Sequence, residues 1–388
     1  MASWQGRKRL VFCGRSLFLL RKFQKLLPLN KKNLDLEHIS KLFGLEPVNY
    51  SFKPFGSGHI NATFLLESIS ENKRFVLQKI NINVFKKPEI IAKNVGNTSD
   101  FLAKNHPEYL FIHQIKTVNG EDLAFVDGEY WRLSPFIPNS YSINSVSEPQ
   151  MAYEAGKAFG LLTKNLHYMP LEGLQASIPG FHDLAWRYQQ FEESLKNGNQ
   201  NRIKEVAQEI EFIQSQRHLV EVYQNIIQNP DYPTRMIHHD TKINNVLFDK
   251  TTNKSLCVCD LDTLMPGKII SDIGDMVRTY TCEESEESTE FEKIKIRTEY
   301  FEALMNGYLS QMKSLISPAE KENLFFAGPF MIYMQGLRFL TDYLNDDIYY
   351  PIKYPEHNLN RAKNQRILLE DLLSNEVELM TIIKKNID

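Results

Sequence analysis

Cysteine is scarce: the 388-residue sequence holds four, Cys13, Cys257, Cys259 and Cys282. These are too few and too scattered for a disulfide framework. Cys257 and Cys259 lie two apart in an apolar run, where strand geometry would put both on one face. Buried thiols explain that pair more simply than a zinc site. Long apolar runs are missing too. Leu10–Cys13 and Leu17–Leu20 are too short and interrupted for a secretory core, and no later segment is apolar enough to cross a bilayer. A basic surplus is absent, the formal charge being -3, which argues against a general nucleic-acid binder. No Gly-x-x-x-x-Gly-Lys-Ser/Thr occurs, so the chain is not a P-loop enzyme. Acid is absent from Met1 to Leu34, which instead carries nine lysines and arginines. Residues 1–45 are expected to be a basic extension with a first helix: a transit peptide, a surface appendage or a start assigned too far upstream.

What is present is an ordinary globular balance, 42% hydrophobic and 24% charged, in a chain long enough for two domains. A cytoplasmic setting is expected. Phe52–Phe55, Thr63–Glu67 and Arg74–Ile80 read as strands, separated by Gly56-Ser57-Gly58 and the polar turn Ser70-Glu71-Asn72. Pro88 is well placed to open a helix. Leu110–Thr117, Ala124–Phe125 and Tyr130–Leu133 read as further strands. Pro135 and Pro138 then mark a connector, after which Ala155, Ala158, Phe159 and Leu162 recur at helical spacing. A β interlude follows over Met236–Leu264, and helices dominate from about Phe291. The acidic run Glu283–Glu287 reads most simply as a solvated loop. The expectation is an α+β chain with a small antiparallel β lobe at 46–134, a large mostly helical lobe at 135–388, and a small-molecule cleft between them.

The chemistry concentrates in Ile237-His238-His239-Asp240-Thr241-Lys242-Ile243-Asn244-Asn245, followed by a strand and Cys259-Asp260-Leu261-Asp262. Phosphoryl transfer needs one carboxylate to orient the attacking hydroxyl and take its proton. It also needs an amide oxygen and a second carboxylate to hold Mg²⁺ on the phosphates. Asp240 suits the first role, Asn245 and Asp260 the second. An isolated Asp-x-x-x-x-Asn would ordinarily be loop capping. His238 two residues upstream and the strand leading to Asp260 point to chemistry instead. His238 reads as a scaffold residue bonding the loop. A metal site on His238, His239 and Asp240 is disfavoured, because neighbours on a strand face opposite ways.

This segment resembles the choline kinase and aminoglycoside phosphotransferase family, whose His-x-Asp-x-x-x-x-Asn loop precedes a strand ending in a metal-binding aspartate. The resemblance implies a protein-kinase-like two-lobed fold, and it matches Asp272 to the aspartate that braces the loop, with Asp262 in support. Gly56–Asn61, Val76–Asn81, Asp260–Gly267, Gly336–Leu344 and Asn358–Ala362 are similar to the N-acetylhexosamine 1-kinase branch, over about residues 48 to 370.

On the nucleotide side, Gly56, Ser57 and Gly58 can let backbone N–H groups approach phosphate. Lys79, on one strand face with Leu77, would reach the phosphates of ATP, and Pro135 and Phe136 would offer backbone to adenine. The helix partner of Lys79 is open: Glu89 falls early, and Asn94 cannot form an ion pair. On the acceptor side, an i,i+4 pair of Arg338 with Asp342 is the default. The resemblance instead turns Arg338 toward a sugar, with Tyr349 beyond the helix. His59, next to the glycine turn, is a candidate for the acceptor or the phosphates, and Arg278 is a further acceptor candidate. The expected partners are ATP, Mg²⁺ and a small amino-sugar acceptor, without nucleic acid, in a monomer or homodimer. Choline, ethanolamine, homoserine or an aminoglycoside is the alternative acceptor, and a catalytically silent nucleotide binder the alternative class.

Overall fold

Runs rich in aromatic and branched residues, punctuated by Gly, Asn and Ser, fold into strands where the sequence places them. The computed structural model describes residues 29–56 and 60–387. It falls into two compact units, one running to Lys79 together with Lys116–Leu133, the other made of Ile80–Ile115 and Ser134 onward. The expected boundaries at 46–134 and 135–388 divide the chain by position, whereas contacts assign Ile80–Ile115 to the second unit.

The first unit contains α1 (Leu29–Leu42), β1 (Tyr50–Pro54), β2 (Ala62–Ser68), β3 (Arg74–Lys79), β4 (Ala124–Val126) and β5 (Glu129–Pro135). The strands form one sheet in the order β1-β2-β3-β5-β4. Antiparallel register sets Phe64 opposite Leu77 and Leu66 opposite Phe75. Leu66 and Leu77 are completely buried, which at about 1.5–3 kcal/mol per side chain pins the register against a one-residue slip. The polar turn closes through Ser68, whose N–H donates to the Lys73 carbonyl at 2.9 Å. Leu110–Thr117 does not become a strand: apart from an isolated bridge residue at Ile115 it is irregular. Its apolar content serves burial, as Phe111 shows, rather than a ladder.

The second unit begins with α2 (Pro88–Asn105), which Pro88 opens. Buried Asn94 ties α2 to its own unit, donating to the carbonyls of Gln175 (2.8 Å) and Leu264 (3.0 Å). Then come β6 (Ser140–Tyr141), α3 (Pro149–Asn165), α4 (Leu184–Asn197), α5 (Gln200–Glu205), α6 (Ala207–Ser215) and α7 (His218–Gln228). The β interlude supplies β7 (Arg235–Ile237), β8 (Val246–Asp249), β9 (Ser255–Val258) and β10 (Met265–Gly267). Helices α8 (Ile270–Tyr280), α9 (Thr298–Met312), α10 (Pro318–Glu322), α11 (Ala327–Leu344), α12 (His357–Ser374) and α13 (Glu376–Ile387) complete it. The small sheets are β6-β8-β9 and β10-β7.

Helix α3 presents Ala152, Ala155, Phe159 and Leu162 to the core, all completely buried. It crosses α9 at backbone contact: a Cβ on Gly307 would lie 2.1 Å from the Tyr153 carbonyl oxygen, and one on Gly156 2.5 Å from that of Leu304. Helix α11 is buried on nearly every side, as its largely apolar sequence requires. No helix among the described residues is long and apolar enough to cross a membrane.

Candidate active site

Strand β7 ends at Ile237, and the chain then turns sharply, with His239 in the left-handed region at φ 68°. Helix α8 holds this turn. The carboxylate of Asp272 accepts the His238 N–H at 3.0 Å and the His239 N–H at 2.7 Å. One helical turn later, Asp275 accepts the Thr241 N–H at 2.8 Å. Tyr280 donates its hydroxyl to the Thr241 carbonyl at 2.5 Å. Burial pushes Asp272 up to about 6 despite those bonds and nearby His238. From the far side β10 closes the space: a Cβ on Gly267 would sit 2.3 Å from Cε1 of His239. Only glycine lets that ring lie against the strand.

His238 is fully buried and bridges two strands' ends. Its Nδ1 accepts the Asp240 N–H at 3.3 Å, which leaves Nε2 to donate to the Cys259 carbonyl at 2.9 Å. Asp240 itself stays partly open, its side chain 27% exposed. Asn245 donates from Nδ2 to the Asp240 carbonyl (2.9 Å) and to Oδ2 (3.1 Å), while Lys242 Nζ stands 3.5 Å from Oδ1. Burial works to raise Asp240, but Lys242, His238 and the Asn245 amide outweigh it and hold the group below the usual carboxylate range. It is therefore ionised at neutral pH.

The ladder of β8 and β9, with Val246 opposite Val258, brings the other two residues together. Asn245 immediately precedes β8, and its carbonyl accepts the Cys259 N–H at 2.8 Å. Asp260 follows in the left-handed conformation (φ 57°), turning the chain into a short 3-10 segment, Leu261–Thr263, with Asp262 buried. Buried Glu154 of α3 steadies β9, accepting the Ser255 N–H (3.1 Å) and hydroxyl (3.0 Å). Cys257 is buried in β9, but Cys259 lies beyond the strand's end, half-buried. Among the described residues no three His, Cys, Asp or Glu side chains gather closely enough to hold a metal alone. The donor set of Asn245 and Asp260, two oxygens, fits Mg²⁺ sharing its shell with phosphate and water. Nδ2 of Asn245 is committed to Asp240, which leaves Oδ1 as the atom that would face a cation.

A cavity of about 350 Å³ lies in the same unit, between α4, the last turns of α11 and Ile348–Tyr350. Arg187, Asn197, Arg338, Asn345, Tyr349 and Tyr350 are among its lining residues. Stacked rings connect it with the Asp240 loop: His239 on His182 (centroids 5.5 Å apart), His182 on Phe181 (4.3 Å), and the Arg338 guanidinium 5.8 Å from the Phe181 ring.

In the first unit, Lys79 Nζ pairs with Glu129 Oε1 at 3.2 Å, so its partner comes from the adjoining strand β5. Gly56 takes φ 79° just past β1, whereas Ser57, Gly58 and His59 lie outside the described residues. Pro135 ends β5, and Phe136 follows it.

A family model described as the phosphotransferase enzyme family matches residues 51–310. The chain belongs to that family. Solved structures share its kinase-like α+β fold. A microcompartment-associated aminopropanol kinase is 14% identical, covering 89% of this chain and 98% of its own, with a TM-score of 0.60. The Plasmodium vivax ethanolamine kinase is 13% identical over 94% and 96%, with a TM-score of 0.55. A spectinomycin phosphotransferase, solved with ADP and spectinomycin, is 14% identical over 84% and 93%, with a TM-score of 0.52.

Two expectations about this phosphotransferase are corrected. Glu283–Glu287 is not a simply solvated run. Glu286 accepts from Arg278 at 2.6 Å, and Glu287 gathers Lys353 (2.7 Å), His357 (2.9 Å) and Arg361. Nor does Asp342 pair with Arg338. It is buried and accepts the N–H groups of Tyr349 (2.8 Å) and Tyr350 (2.9 Å) and the amide of Asn358 (3.0 Å). Arg338 instead donates to Gln335 at 3.1 Å and lies near the Tyr349 and Tyr350 rings. Arg278 is buried between Asp275 (3.0 Å) and Glu286. Asp275, Lys242, Arg187 and Gly267 were given no role from the sequence. The i,i+3 spacing of Asp272 and Asp275, two acids on one face of a helix's first turns, is the signal that could have exposed the first.

Proposed function

We propose that this phosphotransferase moves the γ-phosphoryl group of ATP to a hydroxyl of a small sugar, the anomeric 1-hydroxyl of an N-acetylhexosamine. The observation that carries this reading is an ionised, partly exposed Asp240 linked through stacked rings to a pocket lined by the guanidinium groups of Arg187 and Arg338. Asp240 aligns the hydroxyl and accepts its proton as the new O–P bond forms and the bond to ADP breaks. Asn245 and Asp260 would hold Mg²⁺, which when bound offsets the charge of the phosphate oxygens. Lys79, oriented by Glu129, and the Gly56-Ser57-Gly58 turn are assigned to the ATP phosphates, and Pro135–Phe136 to the adenine. Asp272, His238 and Asp262 support the loop, while Arg278 braces Asp275.

Hydroxyls and an acetamide carbonyl suit Arg338, Asn197, Asn345 and Tyr349. A cationic acceptor suits them poorly. Choline wants open aromatic faces and an aminoglycoside wants free carboxylates, yet Arg338 stands near both tyrosines and Asp342 is turned onto backbone N–H groups. A catalytically silent role is disfavoured by the intact set of Asp240, Asn245, Asp260 and Lys79. An acceptor panel with the phosphorylated product identified by NMR tests the reading. N-acetylglucosamine or N-acetylgalactosamine should support magnesium-dependent ADP release and yield the 1-phosphate. Turnover of choline or ethanolamine with neither sugar active would refute it.

A further inference from the structure

Arg187 and Arg338 face one cavity, and no carboxylate among the described residues lies within ion-pairing distance of either. The nearest carboxylates are engaged elsewhere. Asp342, which also lines the cavity, is turned onto three N–H donors. Asp183 caps α4 through the Trp186 N–H at 3.0 Å. Glu193 is exposed at the rim. Arg187 is held by Gln190 (Nη1 to Oε1, 3.0 Å) and by the Trp186 ring, 4.6 Å from its guanidinium carbon. Its Nε is buried with no partner. Burial first, then the proximity of Arg338, lowers Arg187 to about 10, and among the described residues neither guanidinium forms an ion pair, although Asp342 lines the same cavity. Neutral hydroxyls and an acetamide do not offset that arrangement, whereas an oxyanion does, through charge-assisted and bidentate hydrogen bonds.

We infer that this pocket is built for an oxyanion: the acceptor carries a carboxylate or phosphate group, seated between Arg187 and Arg338. This rests on the pocket being the acceptor site, as proposed above. The reacting hydroxyl then lies toward Asp240 and the charged substituent toward α4. Asn197 and Asn345, with the Tyr349 hydroxyl, remain for the uncharged part of the ring.

The test compares three acceptors in the full chain: N-acetylglucosamine, its 6-phosphate, and 2-acetamido-2-deoxyglucuronic acid, the last two separating phosphate from carboxylate. At least one charged sugar should show a KM lower than the neutral sugar by roughly tenfold or more. Arg187→Gln should erase that preference, and Arg187→Lys should restore part of it. Equal or better use of the neutral sugar by the wild type overturns the inference, as does a preference that survives in Arg187→Gln. If no sugar is turned over, the acceptor assignment fails separately. Inorganic phosphate titrated against tryptophan fluorescence then decides the anion site alone. A saturable signal in the wild type that Arg187→Gln abolishes sustains the site, and its absence from the wild type, or its persistence in the variant, sinks it. Thermal melts of both Arg187 variants establish that they are folded.

Discussion

Burial raises the pKa of Asp240 while Lys242, His238 and the Asn245 amide lower it, and the second set prevails. A base held low in this way keeps its proton-accepting form into acid, and activity is lost only as pH falls through its depressed folded value. Lys242 is the largest of the opposing influences. Lys242→Met should therefore move the acid limb of the kcat/KM–pH profile upward, and an unmoved limb would remove Lys242 from the explanation. Glu287 offers a second residue-scale test, on stability. Its burial is outweighed by Lys353, Arg361 and His357, which bring it from the usual 4.5 to about 2. Being depressed, it contributes stability above the unfolded value, lost as pH falls from about 4.5 toward 2. Glu287→Gln should lower stability by about 1–3 kcal/mol at pH 7, since it removes the charge that Lys353, His357 and Arg361 share and sets an amide N–H against one of these donors. In urea melts that deficit should shrink toward pH 2, and a pH-independent deficit would contradict the assignment. The candidate set of Asp240, Asn245 and Asp260 was legible because its spacing along one strand–loop–strand segment is the pattern that phosphoryl transfer calls for. The Arg278–Glu286 pair was not, because it exists only once α8 and the acidic loop pack together.

At the scale of elements, the catalytic loop is a strand end suspended between α8 and β10. Gly267→Ala places a methyl 2.3 Å from His239, so either the ring or the left-handed turn must move. Kcat should fall at least about tenfold, with the melting temperature changing less than for a core cavity. Unchanged turnover would mean that the ring's seat is irrelevant. The α3–α9 crossing gives the complementary case. Gly307→Ala forces the helices apart and should cost about 1–3 kcal/mol of unfolding free energy, because the atom it meets is backbone. Chemical denaturation measures that loss, and a neutral result would mean that the helices can separate freely. Helices and most strands were readable from periodicity and punctuation, including the hairpin at Ser70–Asn72. Leu110–Thr117 misled because a short apolar run looks the same whether it pairs in a ladder or fills a core. The Asp342 cap was hidden because an acid four residues after an arginine looks like a surface ion pair. Its carboxylate in fact turns back onto the Tyr349–Tyr350 backbone.

For the whole molecule, the division of labour is by unit. The sheet carries Lys79 and Glu129, and the helical unit carries Asp240, Asn245, Asp260 and the arginine pocket. Both partners in the Lys79–Glu129 pair are well exposed, so the pair adds little stability. Lys79→Met should therefore lower kcat/KM for ATP at least about tenfold while leaving the melting temperature within a degree or two. The family match runs across both units, which is why the kinase fold was legible from a few motifs. The acceptor is coded more thinly, in side chains from α4, α11 and the segment after it. The most direct test of phosphoryl transfer by this site is coupled measurement of ADP release and phosphorylated product for wild type and Asp240→Asn. Removing the base should leave the fold and ATP binding intact and reduce turnover by about 10²–10⁴-fold. An Asp240→Asn protein that still forms product at the wild-type rate would contradict it.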